Sequence, residues 1–208
     1  MKAVIINGSP KAQDSASELI AAYLQARLAQ AADCSVCHAA RYSRDEIMRA
    51  FTGCNALIFV FPLYVDGIPS HLLRLLDEIQ NSVADVASGA AVYCVVNNGF
   101  YEAHQNAVAL ELMGNFCVRS GLRWGQGLGV GAGGMIAAAP IGRGPLKNLG
   151  KALDALAENI RNNKTADNLF VKPNFPKFLY NAAAHMSFRA QARKYGLKTK
   201  QLYDKPRQ

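Results

Sequence analysis

The sequence predicts an α/β protein with a five-stranded, doubly wound parallel sheet and a C-terminal helical extension. Short apolar runs alternate with helical stretches at the spacing of βαβ units. The charge is also divided along the chain. Residues 1–163 hold 13 Lys and Arg against 13 Asp and Glu, whereas residues 164–208 hold 10 against 2 and carry the net charge of +8. We therefore expect one α/β domain over residues 1–163 and a basic helical extension over residues 164–208.

The strands of the domain are predicted from apolar segments that are bounded by turn residues. The first strand, residues 2–6, is followed by a polar loop and by a helix that begins near Ser15 or Ser17. The second strand contains Cys34 and Cys37. The other predicted elements are strands at residues 54–61, 90–96 and 123–130 and a last core helix over residues 146–162. This alternation leaves one connecting loop beyond the carboxyl end of each strand.

The loop after the first strand has the chemistry of a phosphate site. A helix that follows a strand directs its unpaired N–H groups and the positive end of its dipole at the loop. The loop is neither G-x-G-x-x-G nor G-x-x-x-x-G-K-[ST]. It offers instead the hydroxyls of Ser9, Ser15 and Ser17 and the cation of Lys11. The alternative is a helix N-cap cluster without a ligand, because serine commonly caps helices.

Two later loops extend this interpretation. Residues 62–67 follow a buried strand and precede a helix with Pro69 near its first turn, and residues 97–101 follow the next buried strand. In an open parallel sheet these loops emerge at the carboxyl edge together with the serine-containing loop. Ligands of doubly wound folds bind at this edge.

Three motifs at these loops resemble one family. They are G-S-P-K-x3-S-x-S at residues 8–17, P-L-Y-x-x-G-I-P-x-x-L at residues 62–72 and N-N-G-F-Y at residues 97–101. Over residues 1–163 the chain resembles the flavodoxin-like NAD(P)H-dependent reductases, the group of FMN reductases, quinone reductases and azoreductases. The resemblance implies a flavodoxin-like sheet of order 2-1-3-4-5, a bound FMN, NADH or NADPH as hydride donor, and a homodimer.

The same resemblance assigns cofactor-binding residues in this chain. At the FMN phosphate it places Ser9, Lys11, Ser15, Ala16 and Ser17. Along one side of the isoalloxazine it places Pro62, Leu63, Tyr64, Val65 and Gly67. Along another side it places Asn97, Asn98, Gly99, Phe100 and Tyr101. The chain departs from the family at Lys11, where arginine is frequent, and at Asn97-Asn98, where a glycine-rich run is frequent.

Three functions are open at this point. The first is an FMN-dependent oxidoreductase that passes electrons from NAD(P)H to a quinone, a flavin, a nitro or azo compound, or a ferric chelate. Because the flavin carries the chemistry, no catalytic side chain is required, and Tyr64 and Tyr101 are candidates for stacking or hydrogen bonding. The second is an electron carrier without NAD(P)H activity. The third is a module that binds another phosphate ligand through the serine-containing loop.

Cysteine and histidine do not indicate a metal or disulfide site. Cys34 and Cys37 fall on one predicted strand, where positions i and i+3 face opposite ways. The four histidines are scattered, so we expect no metal. The N-terminus enters a strand directly and no apolar run reaches transmembrane length. We therefore expect a soluble, cytoplasmic protein.

The basic extension is predicted to contain a helix over residues 175–195 that Gly196 ends. One side of it is an apolar stripe formed by Phe175, Phe178, Leu179, Ala182, Met186 and Ala190. Such a stripe is typically buried on the protein's own core, on a second subunit or at a membrane surface. We expect a homodimer first, membrane-surface contact second, and nucleic-acid binding last, because no nucleic-acid motif is present.

Overall fold

The computed structural model describes residues 1–11, 13–29 and 31–204. The chain divides into two compact units, Met1–Asn174 and a second unit that begins at Phe175. The first unit contains the sheet and, at the carboxyl edge of that sheet, the candidate site.

The sheet has six parallel strands in the order β2-β1-β3-β4-β5-β6. The strands are β1 (Lys2–Asn7), β2 (Asp33–His38), β3 (Ala56–Pro62), β4 (Ala91–Asn97), β5 (Arg123–Val130) and β6 (Leu169–Val171). The predicted class and the order of the first five strands are confirmed, because the order reverses at β1 as in a doubly wound sheet.

The prediction of five strands is wrong, since β6 extends the sheet beyond β5. Leu128 pairs with Leu169, and Val130 pairs with Val171. Gly129 leaves the space that the Phe170 ring fills, because a Cβ at Gly129 would lie 2.6 Å from Phe170 Cδ1. A strand of three half-exposed residues has no periodic pattern, so the sequence did not predict it. Because β6 belongs to the sheet, the sheet continues past residue 163, the limit expected from the charge division.

Seven α-helices lie in the described part of the chain. They are α1 (Ala16–Leu28), α2 (Arg44–Phe51), α3 (Ser70–Ile79), α4 (Val83–Val86), α5 (Ala107–Arg119), α6 (Lys147–Arg161) and α7 (Lys177–Lys194). Buried residues of α2, α3 and α5 form one core cluster with one face of the sheet, and those of α1 and α6 form a second cluster with the other face. Helices thus cover both faces of the sheet, as βαβ connections require.

The strands separate the two core clusters residue by residue. Val4 and Ile6 belong to one cluster, and Ile5 belongs to the other. The same alternation sends Cys34 and Cys37 to opposite faces of β2, as predicted. All five cysteines are free and are buried or half-buried.

Helix α7 confirms the helix that was predicted for the extension. It begins after Pro176 and is followed by Gly196 with φ of +73°, the left-handed conformation that commonly ends helices. Phe178, Leu179 and Met186 of the predicted stripe are exposed in the single chain. Their burial by a second subunit stays a prediction. No helix in residues 1–11, 13–29 and 31–204 has both the length and the apolar character for a membrane span.

Candidate functional site

The three loops that were predicted to meet do so in a pocket of about 400 Å³ at the carboxyl edge of the sheet. Its lining is Ser9, Lys11, Asp14, Ser15, Ala16, Ser17, Pro62, Leu63, Tyr64, Asn97, Asn98, Gly99, Gly133, Gly134 and Ala137. Predicted site residues that do not line the pocket are Val65, Gly67, Phe100 and Tyr101. Small-molecule sites have volumes of about 300–1,000 Å³, so the pocket has the size of a ligand site.

A larger hollow of about 520 Å³ lies between α3 and α5, away from this edge. It is lined mainly by apolar side chains such as Leu73, Leu76 and Leu112. The buried hydroxyls and the first turn of α1 belong to the smaller pocket, which is therefore the candidate site.

The serine hydroxyls of the first loop are oriented as hydrogen-bond donors. Ser9, Ser15 and Ser17 are all buried. Ser9 Oγ accepts the Lys11 N–H at 3.2 Å, and Ser15 Oγ accepts the Glu18 N–H at 3.0 Å. Ser17 Oγ accepts from Asn97 Nδ2 at 2.9 Å. Since each oxygen already accepts an N–H, its own O–H proton is available to a ligand oxygen.

The first turn of α1 adds backbone donors to these hydroxyls. Ser15 is the N-cap, in extended conformation, and Ala16 and Ser17 are the first helical residues. Their N–H groups have no i−4 carbonyl within the helix. The helix dipole favours an anion at this end. Lys11 and Asp14 are exposed at the pocket and bring one charge of each sign.

The second loop is a tight hairpin that projects from the end of β3. Tyr64 and Gly67 exchange both backbone hydrogen bonds, at 3.1 and 2.9 Å. Val65 and Asp66 between them have φ of +47° and +55°, as in a type I′ turn. Tyr64 is half-exposed at the rim of the pocket, whereas Val65 is fully exposed. The loop thus presents Pro62, Leu63 and Tyr64 to the pocket and turns the predicted residues Val65 and Gly67 away from its lining.

Substitution of Val65 by asparagine will stabilise this turn. A β-branched residue is strained at positive φ, whereas asparagine tolerates it, so we expect the free energy of unfolding to rise by about 0.5–1 kcal/mol. Urea unfolding of the Val65→Asn variant measures the gain. Val118→Asn is the matched control, because Val118 is also exposed but lies on α5, where valine and asparagine have similar propensities. If both substitutions change the free energy of unfolding equally, relief of strain in the turn is not the cause.

The third loop is held in place by its two asparagines. Asn97 is buried, and its Nδ2 donates to Ser17 Oγ at 2.9 Å and to the Phe61 carbonyl at 3.1 Å. Asn98 Nδ2 donates to the Glu102 carbonyl, and Asn98 Oδ1 accepts the Phe100 N–H at 2.9 Å. Asn97 therefore joins the first and third loops. The sequence does not show this link, because Asn97 and Ser17 are 80 positions apart.

A fourth loop, after β5, completes the pocket and was not predicted as part of the site. Gly133 and Gly134 line the pocket, and the Gly133 N–H donates to the Asn98 carbonyl at 2.6 Å. A Cβ at Gly133 would lie 2.8 Å from that same carbonyl oxygen. The signal in the sequence was the glycine-rich run at residues 131–134. At Gly131 and Gly133, the backbone of the third loop lies too close to leave room for a side chain.

Two histidines contact the backbone of the first loop from outside the pocket. His38 Nε2 lies 3.2 Å from the Lys11 carbonyl, and His71 makes a hydrogen bond to the backbone of Gly8. His38 Nδ1 and His71 Nε2 are buried, with no partner among the described residues. Burial lowers the pKa of both histidines. Arg41 lowers the pKa of His38 further, against smaller opposing effects of the hydrogen bond to the Lys11 carbonyl and of Glu18. His38 lowers the pKa of His71 further, against a smaller opposing effect of the hydrogen bond to Gly8.

These histidines will make the protein less stable in mild acid. A histidine whose pKa is lowered by folding binds fewer protons in the folded than in the unfolded state. The free energy of unfolding therefore falls as the pH drops below about 6.5 and through the folded pKa. We expect the double variant His38→Gln, His71→Asn, which keeps the bonded nitrogens, to lose less stability between about pH 7.5 and about pH 5. Urea unfolding at both values measures this, with His185→Gln on α7 as the control.

The comparisons with known proteins identify the fold. No family model and no curated protein matches the chain. Among solved structures, it is similar to an NADH:FMN oxidoreductase in its apo form, with a TM-score of 0.61 and 16% identity over 79% of this chain and 90% of the other. It is similar to an FMN-dependent NADH-azoreductase from Bacillus anthracis in complex with FMN, with a TM-score of 0.60 and 14% identity over 77% of this chain and 100% of the other.

A flavodoxin from Streptococcus pneumonia TIGR4 also has this fold, with a TM-score of 0.56 and 14% identity over 78% of this chain and 99% of the other. The chain therefore has the flavodoxin-like α/β fold, as predicted. Among the described residues, no group of three or more His, Cys, Asp or Glu is arranged to hold a metal ion.

Proposed function

We propose that the protein is an FMN-dependent oxidoreductase that takes electrons from NADH or NADPH and passes them to a small acceptor. The observation that carries this proposal is the donor set at the first turn of α1. Three buried serine hydroxyls, each with its proton available, meet two helical N–H groups at one pocket. Such a set fits a phosphate monoester, the group at the end of FMN. Similarity of fold to FMN-dependent NADH oxidoreductases supports it.

The remaining lining fits the rest of the same ligand. Pro62, Leu63 and Tyr64 give one wall an apolar and aromatic surface against which a flat ring system can lie. The backbones of Gly99, Gly133 and Gly134 also border the pocket, without side chains. Close backbone approach is what hydrogen bonds to the edge of a flavin require. The pocket thus combines a set of donors that can bind an anion with an apolar and aromatic wall.

In this proposal the side chains of the pocket bind and orient FMN, and none of them takes part in the electron transfer. Bound FMN supplies the chemistry, because it accepts a hydride from a reduced nicotinamide and yields electrons to an acceptor. The serines and Lys11 fix the phosphate, and the Asn97 amide keeps Ser17 facing the pocket. Tyr64, exposed at the rim, is placed to contact the nicotinamide or the acceptor. Quinones, free flavins, nitro and azo compounds, and ferric chelates are the acceptor classes that we propose.

The absorption spectrum of the purified protein tests the proposal. We expect flavin bands with one FMN per chain, identified by chromatography after heat release, and bleaching of these bands by NADH or NADPH without oxygen. Turnover with a quinone should then consume the nicotinamide continuously. Retention of FAD with no binding of FMN would contradict the cofactor assignment. A colourless protein that takes up no FMN would favour a module that binds a different phosphate ligand.

An electron carrier is the second candidate, because flavodoxins share the fold. The same pocket would then hold FMN without a nicotinamide reaction. Flavin bands that chemical reductants bleach, but NADH and NADPH leave unchanged, would favour the carrier over the reductase.

A further inference from the structure

The second unit has a surface that the proposed function does not use. Helix α7 exposes Phe178, Leu179, Met186 and Phe188, with 71%, 42%, 69% and 62% of their surfaces accessible. Beyond the helix, Tyr195, Leu197, Leu202 and Tyr203 are also exposed. Isolated exposed apolar residues are ordinary, but a run of this size on one short segment marks an interaction surface.

The exposed residues of α7 are arranged by helical geometry. At 100° per residue, Phe178, Leu179, Ala182 and Met186 fall within one sector of the helix. Arg189 and Arg193 follow in the same sector toward the C-terminal end. Lys194 and Phe188 lie outside the sector, by roughly 60° and roughly 80° on its two sides. The sector therefore begins apolar and ends cationic. Long arginine side chains can lay their stems on an apolar phase and keep their charges in its polar boundary.

The charges of this surface have one sign. Residues 177–194 contain no Asp or Glu, and residues 175–204 contain one, Asp204. Arg189, Arg193, Lys194, Lys198 and Lys200 are exposed, and none of them makes an ion pair with another described residue. Two copies of α7 paired in parallel would bring these cations together without a counter-charge, and antiparallel pairing would place the cations against the apolar end of the other copy, again without a counter-charge. Both arrangements are unfavourable. The surface therefore fits a partner that offers an apolar interior to Phe178, Leu179 and Met186 and anionic groups at its boundary to the arginines and lysines.

We propose that the second unit binds an anionic membrane surface, with α7 lying in the interface. In this arrangement Phe178, Leu179 and Met186 insert below the headgroups, to a depth of roughly 5–10 Å. Arg189, Arg193 and the lysines of residues 194–200 meet the phosphates of anionic lipids. An apolar sector combined with a cluster of cations provides the two signals that stable attachment requires. The proposal does not depend on the cofactor of the first unit.

Vesicle sedimentation of the full-length protein tests this proposal. Vesicles of phosphatidylcholine mixed with phosphatidylglycerol should pellet the protein, whereas vesicles of phosphatidylcholine alone should leave it in the supernatant. Raised salt should weaken the binding. The variant Arg189→Gln, Arg193→Gln should bind at least about tenfold more weakly. The variant Phe178→Ser, Met186→Ser should also lose binding, because it removes the inserted side chains.

Matched variants on the first unit serve as controls. Arg119→Gln with Lys151→Gln removes the same charge from exposed positions of α5 and α6, and Leu73→Ser with Val118→Ser removes exposed apolar side chains from α3 and α5. Both should bind vesicles like the unmodified protein. Circular dichroism of every variant checks that the fold is kept, and because all of these positions are exposed, the fold should be kept.

Two results would overturn the proposal. One is equal pelleting with neutral and anionic vesicles, or none with either. The other is a dimer by light scattering that Phe178→Ser, Met186→Ser converts to a monomer without any loss of lipid binding. That second result would assign the stripe to a second copy of the chain.

Discussion

Alanine at both Ser15 and Ser17 will lower the affinity for FMN by about 100-fold or more. Each hydroxyl has its proton available beside the first turn of α1, and a hydrogen bond to a charged group contributes roughly 1.5–3 kcal/mol. Two such bonds give roughly 3–6 kcal/mol, and each 1.4 kcal/mol corresponds to about tenfold in affinity. Fluorescence titration of the apoprotein with FMN measures the change.

A second serine separates this loss from the loss of a helix cap. Ser15 is the N-cap of α1, so its replacement also destabilises the helix by about 0.5–2 kcal/mol. Ser43 caps α2 in a capping box and does not line the pocket. Ser43→Ala should therefore lower the free energy of unfolding without changing FMN affinity. If the double variant binds FMN as tightly as the unmodified protein, the phosphate does not lie in this loop.

Alanine at Gly131 will disturb the site from a residue that is not in its lining. A Cβ at this position would lie 2.3 Å from the Tyr101 carbonyl oxygen and 3.0 Å from the Ala103 nitrogen, both backbone atoms of the third loop and its continuation. The two strands' loops must then separate. We expect the free energy of unfolding to fall by about 1–3 kcal/mol. FMN affinity should fall by roughly tenfold, because Asn98 and Gly99 move with the loop.

Gly134 provides the matched control for this substitution. It lies three residues further along the same loop and lines the pocket, but a Cβ there would have no atom within 4 Å. Gly134→Ala should change the free energy of unfolding by no more than about 0.5 kcal/mol. Urea unfolding of both variants measures the contrast in stability, and FMN titration of the Gly131→Ala variant measures its loss of affinity. Similar losses at Gly131 and Gly134 would show that the loop tolerates no side chain, and that close backbone approach at Gly131 is not the cause.

The sequence predicted the parts of the fold that depend on local pattern. Buried parallel strands are continuous apolar runs, so β3 and β4 were predicted within two residues of their observed ends. β5, whose sequence is interrupted by glycines, was predicted at its observed residues 123–130, and α6 within one residue of its ends. Parallel topology then placed the ends of β1, β3 and β4 at one edge, and this placement brought the serine-containing loop together with the loops at residues 62 and 97.

Features that depend on contacts between distant residues could not be predicted in the same way. The Asn97 amide contacts Ser17, and Gly129 in β5 leaves room for the Phe170 ring of β6. The second loop also shows the limit of turn patterns. The Asp66-Gly67 pair is typical of a type I′ turn, yet the turn is centred one residue earlier, on Val65 and Asp66. Backbone pairing of Tyr64 with Gly67 decides that register.

The burial of the cysteines has a practical consequence for chemical labelling. Burial raises the pKa of Cys34 and of Cys54 to about 11 and that of Cys117 to about 12, and it raises the pKa of Cys37 and Cys94 as well. Alkylating reagents attack the thiolate, which is scarce in all five at neutral pH. A cysteine introduced at Val65, at the fully exposed tip of the hairpin, would therefore be the one fast-reacting thiol. The Val65→Cys variant can thus be labelled with a single maleimide probe on the hairpin while its five native cysteines stay in place.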